Sequence, residues 1–315
     1  MTNATVGKQL NPSKVKKGRY ALGESKYLGL LYISPWIFGF LVFTLYPIVA
    51  SFVLSFTDCN LLNAPEFVGI GNYTSMFTDD TFKTSLTVTF EYVVLEVPLK
   101  IVISLLVAMI LNMKLKGINF FRTTYYIPSI LGSNVAIAVL WKFIFQSDGL
   151  INQVIGLFGA QPVSWFGEQF PALMTIVLLR VWEFGSTMII FLAALKSLPQ
   201  DVYEAASVDG CTKVKRFFKI TIPLLSPTIF FNFVMQLINA FQEFNAPYLI
   251  TKGGPENGTY LLPMYIYDMT FGQYKMGYAS AMSWILFIII MIFTALTFKY
   301  SKYWVFYSDE GQGDN

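Results

Sequence analysis

Polar side chains in an otherwise apolar stretch around position 240 are the residues best suited to bind a polar solute. Asn239, Gln242 and Glu243 share one face at helical spacing (i, i+3, i+4), and Asn245 follows them. An ionised side chain at the centre of a membrane helix costs about 2.5–3.5 kcal/mol on insertion scales, so such groups need a reason. Two reasons remain open. The face lines a water-filled path and binds hydroxyl groups, or its polar groups satisfy one another or a partner subunit.

Two further groups of charged residues lie within apolar stretches. Arg180 and Glu183 are three positions apart, and Glu91, Glu96 and Lys100 include a Glu–Lys pair at i, i+4. Oppositely charged side chains at these spacings are neighbours on a helix surface. We therefore expect structural ion pairs in both groups rather than a role in transport.

The sequence lacks the residues that the common catalytic and metal sites require. It contains no histidine, which excludes histidine-based triads and HExxH zinc sites. It also has no GxxxxGK[ST] phosphate-binding loop, so if ATP drives this protein, another chain hydrolyses it. A membrane enzyme that uses Glu91 or Glu243 is an alternative, but no paired acid and base residues accompany a cofactor motif. We expect no catalytic residue, metal site or cofactor in this chain.

Composition places these residues in a membrane. The chain has 315 residues, of which 55% are hydrophobic and 13% charged, whereas soluble domains carry about 25% charged residues. A span takes about 20 apolar residues, and six stretches qualify. They are 28–57, 87–112, 124–145, 171–195, 226–250 and 277–300. The sequence therefore predicts an all-α polytopic membrane protein with about six transmembrane helices.

Basic residues set the orientation and the divisions of the chain. Counted by segment, sixteen Lys and Arg residues lie on the side of the N-terminal tail and three on the opposite side. By the positive-inside rule, both termini are cytoplasmic. The expected divisions are a cytoplasmic tail (1–27), a first span with an extracytoplasmic loop (28–86), a core (87–304) and a second cytoplasmic tail (305–315).

A polar segment, residues 197–227, interrupts the apolar core on the cytoplasmic side. Its pattern predicts two short helices, the first capped by Ser197 and stopped by a left-handed Gly210, the second ended by Pro223 and Pro227. Such a pair would form a compact docking surface for a partner. A loop that lies on the bilayer surface, helped by its basic residues, is the simpler alternative.

The same segment resembles a known motif. Its residues stand in the order and spacing of the EAA loop, which marks the membrane subunits (permeases) of binding-protein-dependent ABC importers. They are Glu204-Ala205-Ala206, Asp209-Gly210, Phe217, Ile220, Pro223 and Pro227. Cys211 stands where the family usually has alanine. The resemblance implies that residues 197–227 form the coupling loop to an ATPase, with contacts from Glu204, Ala205, Ala206, Asp209, Gly210, Phe217 and Pro223.

A second run narrows the resemblance to the carbohydrate branch of these permeases. Residues 241–259 look like the FxxF(D/N)…LTxGGP…T run of sugar-type permeases, with Asn245 where that run often has aspartate. The resemblance covers about residues 28–300. The resemblance therefore makes a sugar the expected solute in the water-filled path. The expected path residues are Asn239, Gln242, Glu243, Asn245 and Tyr248.

The resemblance implies a complete assembly. The fold would be that of a type I ABC importer permease, and the chain would translocate a sugar or oligosaccharide delivered by an extracytoplasmic binding protein. A second related permease would complete the pore, and two ATPase subunits would hold ATP and Mg. The complex would lie in the bilayer of a bacterial or archaeal plasma membrane, without nucleic acid.

Two alternatives to this function stay open. One is an ion-coupled secondary carrier, and the other is an ABC importer for another small polar solute. Six spans without a visible inverted repeat, together with the absence of histidine, weigh against the carrier.

Overall fold

The computed structural model describes residues 26–60, 64–113, 116–132 and 134–306, which are mainly helical. The helices are α1 (Lys26–Phe40), α2 (Tyr46–Leu54), α3 (Gly71–Met76), α4 (Asp80–Leu111), α5 (Ile118–Leu131), α6 (Val135–Ile144), α7 (Leu150–Leu157), α8 (Gln169–Trp182), α9 (Gly185–Ser197), α10 (Gln200–Val208), α11 (Lys213–Arg216), α12 (Ile222–Phe241), α13 (Asn245–Ile250), α14 (Leu262–Tyr267) and α15 (Met276–Ser301). Two-residue strands β1 (Thr57–Asp58) and β2 (Glu66–Phe67) pair antiparallel. π-Helical turns at 41–45, 217–221 and 268–272 join successive helices.

The chain divides into two compact units at Ala50. The smaller unit, up to Ala50, consists in its described part of α1, the π-helical turn and the start of α2. No residue between Leu31 and Leu54 is buried. This stretch is long and apolar enough to cross a membrane.

Several helices of the larger unit could also cross a membrane. Asp80–Leu111, Lys213–Phe241 and Met276–Ser301 are single helices of sufficient length. Two helix pairs pass the same test with a bend between their members: α8 with α9 at 45°, and α5 with α6 at 104° across a break that includes residue 133, outside the described residues. With each bent pair taken as one span, the count reaches six, as the sequence predicts.

Helix α4 is the centre of the larger unit and packs against α8, α9 and α12. Helices in lipid gain no hydrophobic driving force from meeting, so close van der Waals contact has to hold them together. The buried face of α4 combines small polar residues with Tyr92, which is 1% exposed. Each small hydroxyl donates to its own helix: Ser85 to the Phe82 carbonyl at 3.0 Å, and Thr89 to the Ser85 carbonyl at 2.6 Å. The hydroxyls are satisfied, and the helix surface stays narrow enough for close packing.

Asp79 organises the end of the bundle at which α4 begins. Its carboxylate accepts from the Thr81 and Phe82 amides at 2.9 and 3.1 Å, which caps α4. It also accepts from the hydroxyls of Tyr265 on α14 at 2.5 Å and Tyr278 on α15 at 2.6 Å. Burial alone would raise the pKa of this carboxyl, but these four hydrogen bonds outweigh it and lower the pKa. One carboxylate therefore ties three helices together.

Two details of the polar segment 197–227 differ from the sequence prediction. Ser197 does not cap α10; it is the last residue of α9, its hydroxyl donates to the Ala194 carbonyl at 2.8 Å, and Pro199 precedes α10 instead. The second short helix also does not end at the prolines. Pro223 lies two residues after the π-helical turn 217–221 in the continuous helix Lys213–Phe241, and Pro227 lies further along the same helix.

The fifth span also ends earlier than the sequence predicts. Its helix is continuous from Lys213 to Phe241, and α13 begins separately at Asn245. The predicted span 226–250 therefore contains a helix break at 242–244. This break places Gln242 and Glu243 beyond the helix that carries Asn239.

Candidate functional site

The loop at residues 197–227, which we call the coupling loop after its predicted role, turns at Gly210 with the backbone geometry that the sequence predicts. The φ of Gly210, the elbow of the loop, is +69°, in the left-handed region. The Cys211 amide donates to the Ala206 carbonyl at 3.0 Å and the Gly210 amide to the Ser207 carbonyl at 3.2 Å, which is the Schellman pattern at a helix end. A side chain at Gly210 would meet nothing within 4 Å. Glycine is therefore required here for its conformation and not for space.

The coupling loop presents a largely exposed surface. Of the residues assigned to ATPase contact, Glu204, Ala205, Asp209 and Gly210 are exposed, and Ala206 is buried. The remaining two are half-buried: Phe217 and Pro223. The loop also exposes several large apolar side chains, as a surface that a partner covers would: Val202, Val208, Val214 and Phe218.

Side-chain contacts brace α10 against the helix that follows the elbow. The Tyr203 and Thr221 hydroxyls are 2.9 Å apart. Arg216 donates to the Ser207 hydroxyl at 3.1 Å, and its guanidinium lies 5.7 Å from the centre of the Tyr203 ring. Thr221 belongs to the continuous helix Lys213–Phe241, so these contacts join α10 to a helix that is long and apolar enough to cross a membrane.

A second group of candidate functional side chains lies where α4, α8 and α12 meet. Its members line one cavity of about 310 Å³, and we call them the polar cluster. They are Tyr92, Glu96, Lys100, Arg180, Glu183, Asn239, Gln242 and Glu243.

Arg180 is the hub of the polar cluster. Its guanidinium donates to Glu183 at 2.7 Å and to Glu243 at 2.7 Å. The three side chains are 12%, 12% and 10% exposed. The predicted Arg180–Glu183 pair is confirmed, and the pairing with Glu243, 63 positions away, is additional. Glu243 also accepts from the Ala246 amide at 2.9 Å and so helps to cap α13.

The predicted Glu96–Lys100 pair is also confirmed, with 3.1 Å between the two charged groups. Both residues line the same cavity as Arg180. Glu91, one to two turns earlier on α4, is exposed and does not line the cavity. Each ion pair could be predicted from the sequence because its two residues are neighbours on one helix. That the pairs meet could not be predicted, because Glu96 and Lys100 lie on α4 whereas Arg180 and Glu183 lie at the end of α8.

The residues predicted to line the path divide into two sets. Asn239, Gln242 and Glu243 line the cavity together, although the helix break separates them. Asn245 and Tyr248 lie on α13 outside the cavity lining, and both are exposed. Tyr248 stacks on Phe244 with 4.9 Å between the ring centres.

A glycine makes room for the polar cluster, a role that sequence reasoning missed. A side chain at Gly132, at the end of α5, would place its Cβ 2.0 Å from the carboxyl carbon of Glu183. The φ of Gly132 is −62°, which any residue adopts. Gly132 is therefore needed for space, and no motif or periodicity in the sequence indicates this.

The family model described as "Binding-protein-dependent transport system inner membrane component" matches residues 100–302. The chain is 47% identical to the probable ABC transporter permease protein YesP of Bacillus subtilis (strain 168), over 94% of this chain and 97% of YesP. It is 36% identical to the lactose transport system permease protein LacF of Rhizobium radiobacter, over 86% and 92% of the two chains. It is 33% identical to the arabinooligosaccharides transport system permease protein AraP of Bacillus subtilis, over 92% and 94%.

Solved structures agree on the fold. The chain superposes with a TM-score of 0.72 and 19% identity on a chain of a bacterial ABC transporter involved in the import of the acidic polysaccharide alginate, over 88% of this chain and 96% of that chain. The TM-score is 0.74 for the bacterial alginate ABC transporter in complex with an alginate pentasaccharide-bound periplasmic protein, over 88% and 95% of the two chains. The fold is that of a type I ABC importer permease, as the sequence predicts.

Proposed function

This chain belongs to the family of binding-protein-dependent transport system inner membrane components, and we propose that it is the permease subunit of an ATP-driven importer of a sugar or oligosaccharide. One observation carries the proposal. An exposed loop that turns at Gly210 contacts a continuous helix long enough to span a membrane, and that helix ends beside a polar cavity. Relatives that share 36%, 33% and 32% identity with this chain are named for lactose, arabinooligosaccharides and trehalose/maltose, which supports a carbohydrate.

In the proposed mechanism the coupling loop acts as a lever. An ATPase subunit docks on the exposed face that includes Glu204, Ala205 and Asp209, and Gly210 fixes the angle of the elbow. Closure of the ATPase pair moves α10, and the Tyr203–Thr221 contact passes the movement to the helix Lys213–Phe241. ATP and Mg are held by the ATPase subunits, and this chain supplies no catalytic group.

The other end of that helix reaches the proposed sugar path. Asn239, Gln242 and Glu243 line the polar cavity and offer both donors and acceptors to sugar hydroxyls. Asn245 and Tyr248 lie on α13, nearer the outer mouth. A sugar carries many hydroxyls that each donate and accept. The amides of Asn239 and Gln242, and the Glu243 carboxylate that Arg180 holds in place, can therefore hydrogen-bond to it.

The proposed assembly has further parts. Two ATPase subunits bind on the cytoplasmic side, where the coupling loop and both termini lie. A second, related permease completes the pore, and an extracytoplasmic binding protein delivers the sugar. The positive-inside distribution supports this orientation. The alginate transporter has been solved with its periplasmic protein bound, which supports such a partner. The location proposed is a bacterial or archaeal plasma membrane.

Reconstitution tests the function. The tagged chain is expressed with its neighbouring transport genes, purified with the proteins that accompany it, and placed in vesicles with internal ATP. We expect uptake of at least one of lactose, trehalose, maltose and an arabinooligosaccharide when the binding protein is outside. Uptake that persists without ATP and disappears with an uncoupler would instead establish an ion-coupled carrier.

A further inference from the structure

The polar cavity contains two buried groups that lack a hydrogen-bond partner. Among the described residues, Glu96 Oε2 and Arg180 Nε are closed off from solvent and make no hydrogen bond. One is an acceptor and the other is a donor, and both side chains line the same cavity. The remaining polar atoms of these two side chains are engaged: Glu96 Oε1 by Lys100 at 3.1 Å, and the two terminal nitrogens of Arg180 by Glu183 and Glu243.

An unpaired carboxylate oxygen in such surroundings is costly. A buried polar group without a partner costs about 1–3 kcal/mol, and a charged group costs more. Lys100 binds Oε1 at 3.1 Å and makes no hydrogen bond to Oε2. The conformation described here is therefore one in which the Glu96 carboxylate is half satisfied, and a donor from outside this chain would complete it.

We propose that Glu96 is a solute-binding residue of the importer, whose free oxygen Oε2 accepts a hydrogen bond from one hydroxyl of the transported sugar. This inference rests on the proposed function and extends it to a helix, α4, that the path hypothesis does not include. The residue was expected to form a structural pair only. In this proposal Lys100 binds one oxygen of the Glu96 carboxylate, and the other oxygen remains for the sugar.

Movement of the spans brings the sugar to this oxygen. Glu96 belongs to α4, whereas Asn239 belongs to the helix that the coupling loop drives. When α12 moves relative to α4, the cavity between them widens, and Glu96 Oε2 becomes accessible. A hydroxyl that donates to Glu96 has lone pairs left to accept from a neighbouring N–H, and Arg180 Nε is a free donor lining the same cavity.

The test uses the complete transporter in vesicles with the sugar from the panel above that the wild type imports fastest. Glu96→Gln removes the charge at nearly constant size. We expect kcat/KM for uptake to fall about ten- to hundredfold, the loss of one hydrogen bond to a charged group. Glu91→Gln, on the same helix but exposed and outside the cavity, is the matched control and should import at the wild-type rate.

Monodeoxy analogues of the same sugar separate binding from a structural role. If Glu96 accepts one hydroxyl, the analogue that lacks it is imported poorly by the wild type, and Glu96→Gln imports it as well as the parent sugar. If Glu96 has only a structural role, the loss of uptake caused by Glu96→Gln and the loss caused by removing a hydroxyl should multiply for every analogue. That result would overturn the proposal. Should Glu96→Gln fail to assemble with the ATPase, the same comparison is made with Glu96→Asp, which keeps the carboxylate. If the wild type imports no sugar at all, the proposed function fails first.

Discussion

Two arginines show how differently the loop at residues 197–227 and the polar cluster are built. Arg216, in the coupling loop, is half-buried, donates to a serine hydroxyl and lies over a tyrosine ring. Arg180, in the polar cluster, is 12% exposed and binds two carboxylates. Charged side chains in the exposed loop do not each need an oppositely charged partner, because water screens them. In the cluster every charged side chain has an oppositely charged neighbour, and removal of one leaves another unpaired in a low-dielectric interior.

This difference indicates which property each region needs. The coupling loop depends on its shape, since the backbone turn at Gly210 positions the exposed docking surface. The polar cluster depends on the pairing of opposite charges, because the carboxylates of Glu96, Glu183 and Glu243 meet around Arg180 and Lys100. Substitutions that preserve shape should therefore be mild in the loop, and substitutions that preserve the pairing of charges should be mild in the cluster.

Arg180→Met should have the largest effect. It removes the partner of both Glu183 and Glu243 and leaves two carboxylates buried without a cation. Breaking a buried ion pair from one side costs about 3–5 kcal/mol, so we expect the complex to assemble poorly. The measurement is the amount of ATPase that copurifies with the tagged chain and its thermal unfolding in detergent.

Two further variants make this prediction specific. The triple variant Arg180→Met, Glu183→Gln, Glu243→Gln has no unpaired charge and should recover assembly, though not sugar uptake. Lys83→Met breaks a pair whose side chains are 54% and 93% exposed, and such a pair contributes about 0–1 kcal/mol. Equal instability of the single and triple variants would show that the pairing of charges is not what the cluster provides.

The two regions also differ in how far the sequence reveals them. The coupling loop is contiguous, so its motif and its left-handed elbow at Gly210 could be predicted. The polar cluster is assembled from helices that lie far apart in the chain, so the pairs Arg180–Glu183 and Glu96–Lys100 were predictable but their meeting was not. The same limit applies to Gly132, whose role depends on a side chain of another helix. The helix end predicted at Pro223 and Pro227 was wrong, because both prolines lie within the continuous helix Lys213–Phe241.

Gly210→Val should have the next largest effect, and it acts on coupling. A β-branched residue at φ +69° strains the turn by about 1–3 kcal/mol. The elbow would shift, so we expect ATP hydrolysis to lose its dependence on the sugar-loaded binding protein. The rate of ATP hydrolysis with and without that protein measures this. Gly210→Asn is the matched control, because asparagine tolerates the left-handed region, and it should remain coupled.

Gly132→Ala tests the space that the cluster needs. The new methyl group would displace the Glu183 carboxylate and lengthen its contact with Arg180. We expect a loss of about 1–2 kcal/mol, in the lower half of the usual range for overpacking, because a glutamate side chain can shift. Gly132→Ala should cost less in a Glu183→Gln variant, because the neutral amide makes a weaker contact with Arg180 than the carboxylate does. If Gly132→Ala unfolds at the wild-type temperature, the contact does not constrain the cluster.

Tyr203→Phe should have the smallest effect, and it examines the link between the two regions. The variant keeps the ring beneath Arg216 and removes only the hydroxyl 2.9 Å from that of Thr221. A neutral hydrogen bond contributes about 0.5–1.5 kcal/mol, so assembly should persist while sugar uptake per ATP falls. Thr221→Val removes the other partner, and the double variant should be no worse than either single one, because both lose the same bond. If the two losses add instead, the hydroxyls act separately, and movement of α10 reaches the membrane span by another contact, with Arg216 and Ser207 the next to be tested.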